Sequence, residues 1–272
     1  MRQLILLLTF IVLIVSCVKE SPLVEQRSKP KLKKMLSYSS LDKRVIHGMV
    51  TYEYDKNSNL TKIASFFGDT INPLIYFTYD YENGKKVHEN VFNAMGDRYN
   101  LSQRYTFVYS DNLLVKEELR YPPDETVSNY TEYKYDKKGN LILEARVQVD
   151  PFIYLKTEHQ YDSNNLKIKT LNFFDNQEPA GYVDHFYVGN LLSSEKFYGG
   201  NNKFYCESNY SYDSSNNLIQ ITQTREGETK VIESNHYQNS ILVEKTNYEW
   251  LYVTYHGEPS YSFKSIDIYK YE

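Results

Sequence analysis

The sequence predicts an all-β fold: an antiparallel meander of about eight hairpin repeats, with a period of about 26 residues, in a long curved, coiled or partly closed sheet. Three observations carry this. A tyrosine-rich phrase, complete as "YKYDKKGNL" at Tyr133 to Leu141, recurs through a chain of 272 residues that holds 28 tyrosines. Its second aromatic falls at Tyr54, Tyr81, Tyr109, Tyr135, Tyr161, Tyr187, Tyr212 and Tyr237, in steps of 27, 28, 26, 26, 26, 25 and 25 residues. A second set of turn signals lies about half a period away, among them Gly68, Pro122-Pro123, Gly199-Gly200 and Gly227. Between turns the residues alternate: Leu141, Leu143, Ala145 and Val147 against Ile142, Glu144, Arg146 and Gln148. Self-similarity at fixed period marks a repeat architecture, and period-two alternation in short runs rich in Tyr, Val, Ile and Thr marks strands. Twist accumulates in an open sheet, so sixteen to eighteen strands must curl rather than stay flat.

The elements follow in chain order. Met1-Arg2-Gln3 gives one positive charge, Leu4 to Val15 is apolar, and Ser16-Cys17 follow. This is the layout of a secretory signal, too short for a spanning helix. Residues 1–16 are therefore the signal peptide. Residues 17–46 are a flexible tether, with six basic and two acidic residues between Lys19 and Lys34. The rest of the chain, 47–272, is the repeat domain, which holds 22 basic against 32 acidic residues. An acidic body lacks the basic footprint that nucleic acid requires. Residues 246–272 depart from the repeat and form an atypical aromatic cap.

Two resemblances add to this. "IVSC", Ile14 to Cys17, resembles the lipobox of bacterial lipoproteins. It implies cleavage before Cys17, a diacylglycerol thioether on its sulfur and acylation (palmitate) of the new amino terminus. Val18, in place of aspartate at the next position, implies sorting to the outer membrane, and "VKES" resembles the export signals of Bacteroidetes surface lipoproteins. The phrase at Tyr133 to Leu141 resembles the YD repeats of rearrangement-hotspot (Rhs) proteins, over nearly all of residues 50–245. That likeness implies sheet architecture. Eight copies are too few for the closed shell of large family members, and no cargo domain follows.

The candidate chemical residues are read against the repeat. Asp55, Asp136, Asp162 and Asp213 stand where a strand enters a turn, where aspartate accepts backbone hydrogen bonds. His159 and His185 occupy the first-aromatic position held elsewhere by Tyr52, Tyr79, Phe107, Tyr133 and Tyr210, as stacked neighbours in the ladder. No metal or cofactor is expected, since His47, His88, His236 and His256 lack ligand spacing. Cys206 lies among strand formers and reads as a buried small residue. Tyr248, Trp250 and Tyr252 alternate onto one sheet face, as candidate ligand-binding aromatics or a cap. Asp69-Thr70-Ile71 resembles an O-glycosylation site of Bacteroidetes exported proteins.

The function these features predict is a non-catalytic, lipid-anchored envelope protein. Its partners are the membrane, through the anchor, and a glycan or envelope protein. Two alternatives stand: a hydrolase using carboxylates on a sheet face, and a transmembrane β-barrel. Polar residues on both faces, such as Gln220, Thr222 and Thr224 after Leu218, count against the barrel.

Overall fold

The computed structural model describes residues 30–43, 45–68, 71–96, 98–149, 153–174, 177–251 and 260–271. The signal segment, Cys17 and most of the tether lie outside them. Eighteen strands follow in chain order: β1 (Leu32–Tyr38), β2 (Ile46–Tyr54), β3 (Leu60–Phe67), β4 (Ile75–Glu82), β5 (Lys85–Met95) and β6 (Arg98–Ser110). Next come β7 (Leu113–Tyr121), β8 (Thr126–Tyr135), β9 (Leu141–Gln148), β10 (Ile153–Tyr161), β11 (Lys167–Phe173) and β12 (Pro179–Val188). The last are β13 (Leu191–Gly199), β14 (Phe204–Tyr212), β15 (Leu218–Arg225), β16 (Glu228–Gln238), β17 (Ile241–Leu251) and β18 (Ser260–Tyr271). Each pairs antiparallel with its chain neighbours, and β18 pairs back onto β1, so the meander closes into an 18-stranded up-and-down barrel.

Closure corrects the expectation of an open or partly closed sheet, and of too few repeats to close. Two wall strands come from segments assigned otherwise. β1 lies in the basic stretch read as tether, and β18 lies in the region read as a cap. Closing the ring removes both sheet edges, which would otherwise present unpaired backbone to other chains.

The bending device is a β-bulge repeated at all eight tight hairpins. In each, the register slips by one residue at the second aromatic of the repeat, as at Lys134/Tyr135, where Tyr135 faces Leu141 and Ile142 is the extra residue. The same slip occurs at Tyr54, Tyr81, Tyr109, Tyr161, Tyr187, Tyr212 and Tyr237. A bulge bends its strand and raises the local twist, which is how sheets are curved to closure.

The aspartate turns have one construction. Asp136 Oδ1 accepts from the backbone N–H of Lys138 at 2.8 Å and of Asn140 at 2.9 Å, and Asn140 Nδ2 donates back to Asp136 Oδ2 at 2.9 Å. Asp55 with Asn59 and Asp213 with Asn217 repeat all three bonds, and Asp162 repeats the two backbone ones. The residue before the turn's end is left-handed, with φ of 80° at Gly139 and 64° at Asn165 and Asn216, which explains the glycine or asparagine there. These hydrogen bonds, with the side-chain bond from Asn140 the largest effect, hold the Asp136 carboxyl below its ordinary range. These carboxylates are occupied as turn formers.

The second tyrosine has a role that its ring alone does not explain. Its hydroxyl donates to a backbone carbonyl on the preceding strand: Tyr135 to Leu114 at 2.8 Å, Tyr161 to Leu141 at 2.8 Å and Tyr212 to Leu192 at 2.9 Å. Tyr54, Tyr109 and Tyr187 do the same to Leu32, Lys86 and Lys167. Each acceptor lies two residues past the last ladder rung between the two strands, for example Glu158–Leu143 between β10 and β9. The strands splay at this rim, and the phenol satisfies a carbonyl that the ladder no longer reaches.

The two faces of the wall differ. On the outer face, charges run through mid-wall: Glu118 holds Lys116 at 2.9 Å and Arg120 at 2.6 Å, Lys156 holds Glu158 at 2.9 Å, and Lys169 holds Asp184 at 3.3 Å. Between them lie stacked cross-strand rings, Tyr76 on Phe92 at 4.6 Å and Tyr182 on Tyr198 at 4.5 Å. Lys116 and Lys169 cover the rings of Tyr130 and Tyr182 at 4.5 and 4.3 Å. At mid-membrane, each lysine or arginine facing lipid would cost about 2–4 kcal/mol.

Candidate functional site

The concave face is the candidate site. Every pair of strands in substantial contact is a ladder pair, so the wall is one layer thick. A round wall of 18 strands measures about 35 Å between opposite strands, and inner side chains cannot fill it.

The face that carries the first aromatics is the more enclosed one, which marks it as the concave face: burial raises Tyr79, Tyr133 and Glu117, while Glu118 of the opposite face is lowered by its ion pairs. There the aromatics stand opposite carboxylates in the ladder. Tyr79 faces Glu89, Phe107 faces Glu117, Tyr133 faces Glu144 and His185 faces Glu195. Most of these acids are paired: Glu89 with Lys86 at 2.9 Å, Glu144 with Arg146 at 2.7 Å, and farther round the wall Glu233 with Lys245 at 2.8 Å. Lys86 also lies over the Phe107 ring at 4.0 Å. Glu117 instead accepts from the Tyr133 hydroxyl at 3.4 Å, and burial pushes its carboxyl up. Asp267 accepts from Ser37 and from Asn247 Nδ2, and burial raises it too. Burial likewise pushes the Tyr52 and Tyr105 phenols up to about 12, and those of Tyr79, Tyr133, Tyr210 and Tyr269 still higher.

The most connected part runs across five consecutive strands. His159 Nδ1 lies 3.2 Å from Thr170 Oγ1, which lies 2.9 Å from His185 Nε2. His185 Nδ1 lies 2.7 Å from Glu195 Oε1, and the Tyr210 hydroxyl donates to Glu195 Oε2. His185 is buried. Burial pushes the Glu195 carboxyl up, but hydrogen bonds from His185 and Tyr210 outweigh it, and the net shift is downward. Burial, reinforced by Lys167, lowers His159 to about 4, so it is neutral at pH 7. The histidines are not directly stacked: Thr170 of the intervening strand links them.

Thr170, His185 and Glu195 stand in the order of nucleophile, base and orienting acid. Acyl transfer also needs free N–H donors for the oxyanion. Thr170 sits mid-strand, paired with His159 on one side and Val183 on the other, so the backbone around it is committed to the ladder. The arrangement is a polar surface on which the donors that acyl transfer needs are not assembled around Thr170.

The other sequence candidates fall elsewhere. Cys206 is buried and free, and burial, the dominant effect, raises its thiol; a buried, protonated thiol is a poor nucleophile. Tyr248 lies on β17, just past a bulge, and Trp250 follows on the same strand. Tyr252, the Trp250 side chain, Asp69 and Thr70 lie outside the described residues. Among the described residues no cluster of three or more His, Cys, Asp or Glu has the geometry to hold a metal ion. The glutamates of the belt were missed from sequence. Their signal is position: Glu89, Glu117, Glu144 and Glu195 each follow the second aromatic by eight or nine residues.

These features define a class: a closed antiparallel up-and-down β-barrel with polar residues on both faces. Comparison with family models and with curated proteins finds no match. Among solved structures, the chain is similar to a porin-like protein from Bacteroides uniformis, with 10% identity and a TM-score of 0.48, covering 90% of this chain and 99% of that one. It is also similar to TcdB2-TccC3, with 12% identity and a TM-score of 0.40, over 89% of this chain and 14% of that one.

Proposed function

We propose that this chain is a tethered, water-borne barrel of the cell envelope that holds a polar ligand in its lumen without catalysis. The observation that carries the reading is the belt of aromatic rings, hydroxyls and carboxylates on the more enclosed face of the closed wall, with ion pairs on the other face. Ring faces with adjacent hydrogen-bonding groups suit sugars and polar peptide segments. A glycan is the favoured ligand, an envelope protein segment the other. The place in the envelope rests on the lipobox-like Ile14 to Cys17, which supports a lipid anchor and an outer-membrane position.

The test is a glycan and peptide panel against the intact chain, with Tyr133→Phe and Glu117→Gln as lumen variants. Saturable binding weakened about tenfold by either change, as expected for one lost hydrogen bond to a charged group, supports the reading. Binding indifferent to every lumen change would sink it. A second reading, hydrolysis, is favoured by the Thr170–His185–Glu195 order alone. Labelling of Thr170 by a fluorophosphonate probe would establish it; an unlabelled Thr170 supports binding.

A further inference from the structure

The five-residue chain from His159 to Tyr210 has a property beyond holding side chains in place: its hydrogen-bond sense is fixed by one proton. Glu195, held ionised, only accepts, so His185 Nδ1 must carry hydrogen. When His185 is neutral, its Nε2 is a lone pair and the Thr170 hydroxyl must donate to it. Thr170 has then spent its only hydrogen, so His159 donates from Nδ1, and the far nitrogen of His159, Nε2, is an acceptor. When His185 gains a proton, Nε2–H donates to Thr170, whose hydroxyl turns round to donate to His159 Nδ1. His159 must then carry its hydrogen on Nε2, which becomes a donor. His159 stays neutral in both cases.

We propose that this chain is a polyol-binding subsite whose free end, His159 Nε2, changes from acceptor to donor when His185 takes a proton. The ligand chemistry follows from the reversal. A hydroxyl both donates and accepts, so it satisfies His159 in either state. An ammonium fits only the acceptor state and a carboxylate only the donor state. Charges around the chain are mixed: Lys167 from β11, Glu144 from β9, and Glu195 with Tyr210 from β13 and β14. Lys167 is close enough to oppose positive charge at His159, which disfavours a cation further. The buried His185 is shielded from the ligand, so it sets the sense without touching what is bound. The proposal rests on the lumen-binding reading and names the chemical class of the ligand.

The experiment is imidazole nitrogen NMR on the intact chain labelled at histidine, recorded as a function of pH. The expected result is that His159 changes tautomer, from Nδ1–H to Nε2–H, at the same pH at which His185 is protonated, while remaining neutral. Thr170→Val should uncouple the two and Thr170→Ser should restore coupling. With maltose as a neutral polyol probe, His159 Nε2 should shift on both sides of that tautomer change, and His159→Phe should weaken maltose about tenfold, the worth of one hydrogen bond. Methylammonium and acetate should not shift it on both sides. A His159 tautomer that ignores His185 overturns the proposal. Maltose shifting other lumen resonances but not His159 also overturns it and leaves the lumen reading intact. Maltose, the glycan panel and the peptide panel all leaving every lumen resonance unmoved overturns both.

Discussion

Phenylalanine at Tyr54, Tyr109, Tyr135, Tyr161, Tyr187 and Tyr212 together is expected to remove about 6 kcal/mol, a large share of the barrel's stability, although each single change is mild. Each hydroxyl satisfies one backbone carbonyl at the splayed rim. Losing one such bond costs about 1 kcal/mol. The six sites lie in separate repeats and share no partner, so their effects should add, to about 6 kcal/mol. Domains of ordinary stability have only about 5–15 kcal/mol in total. Urea unfolding of the single and combined variants measures this directly. A combined loss below about 2 kcal/mol would mean that water satisfies these carbonyls equally well and that the tyrosines act through their rings alone.

The second large effect is alkaline unfolding. The inner phenols have folded-state pKa values raised above the ordinary 10, to about 12 for Tyr52 and Tyr105 and higher for Tyr79, Tyr133, Tyr210 and Tyr269, with burial the main cause. A group raised on folding contributes stability that is complete below its unfolded value and lost as pH climbs toward its folded value. Above pH 10 the unfolded chain releases phenolic protons that the folded barrel still holds, so stability falls between pH 10 and 12. Allowing for partial solvent screening, each phenol contributes about 1–2 kcal/mol. Six together, about 6–12 kcal/mol, are comparable to the whole stability of a typical domain. The phenolate absorbance and the loss of β-sheet circular dichroism should therefore rise in one cooperative step within that window. Gradual phenolate formation with the sheet intact to pH 12 would contradict a buried belt.

What was legible in the sequence is what local chemistry dictates. Asp136 reads as a turn former because its partners, Lys138 and Asn140, are two and four residues away. The strands read from alternation, and Cys206 reads as buried from its neighbours. The bulges were not legible, because Leu141-Ile142-Leu143 is apolar throughout and an extra residue leaves no mark in the pattern. The tyrosine stitches were hidden because their acceptors are carbonyls 20 to 23 residues upstream, which carry no side-chain signature. Closure was missed because Lys33 and Lys34 coloured the segment as tether. The buried Leu36 in the same strand is the residue that ties it to the wall. Within the candidate site, His159 and His185 were visible as ladder substitutes. Thr170 between them could not be placed without the register of β11.

The central claim is a hollow barrel whose outer wall faces water. Small-angle X-ray scattering tests it most directly, on residues 18–272 in detergent-free buffer, without the apolar signal segment and Cys17. A hollow barrel predicts a monodisperse particle with the distance distribution of a hollow cylinder, its wall about 35 Å across. A protein that stays in solution only with detergent, or one that scatters as a solid globule of its mass, would contradict it.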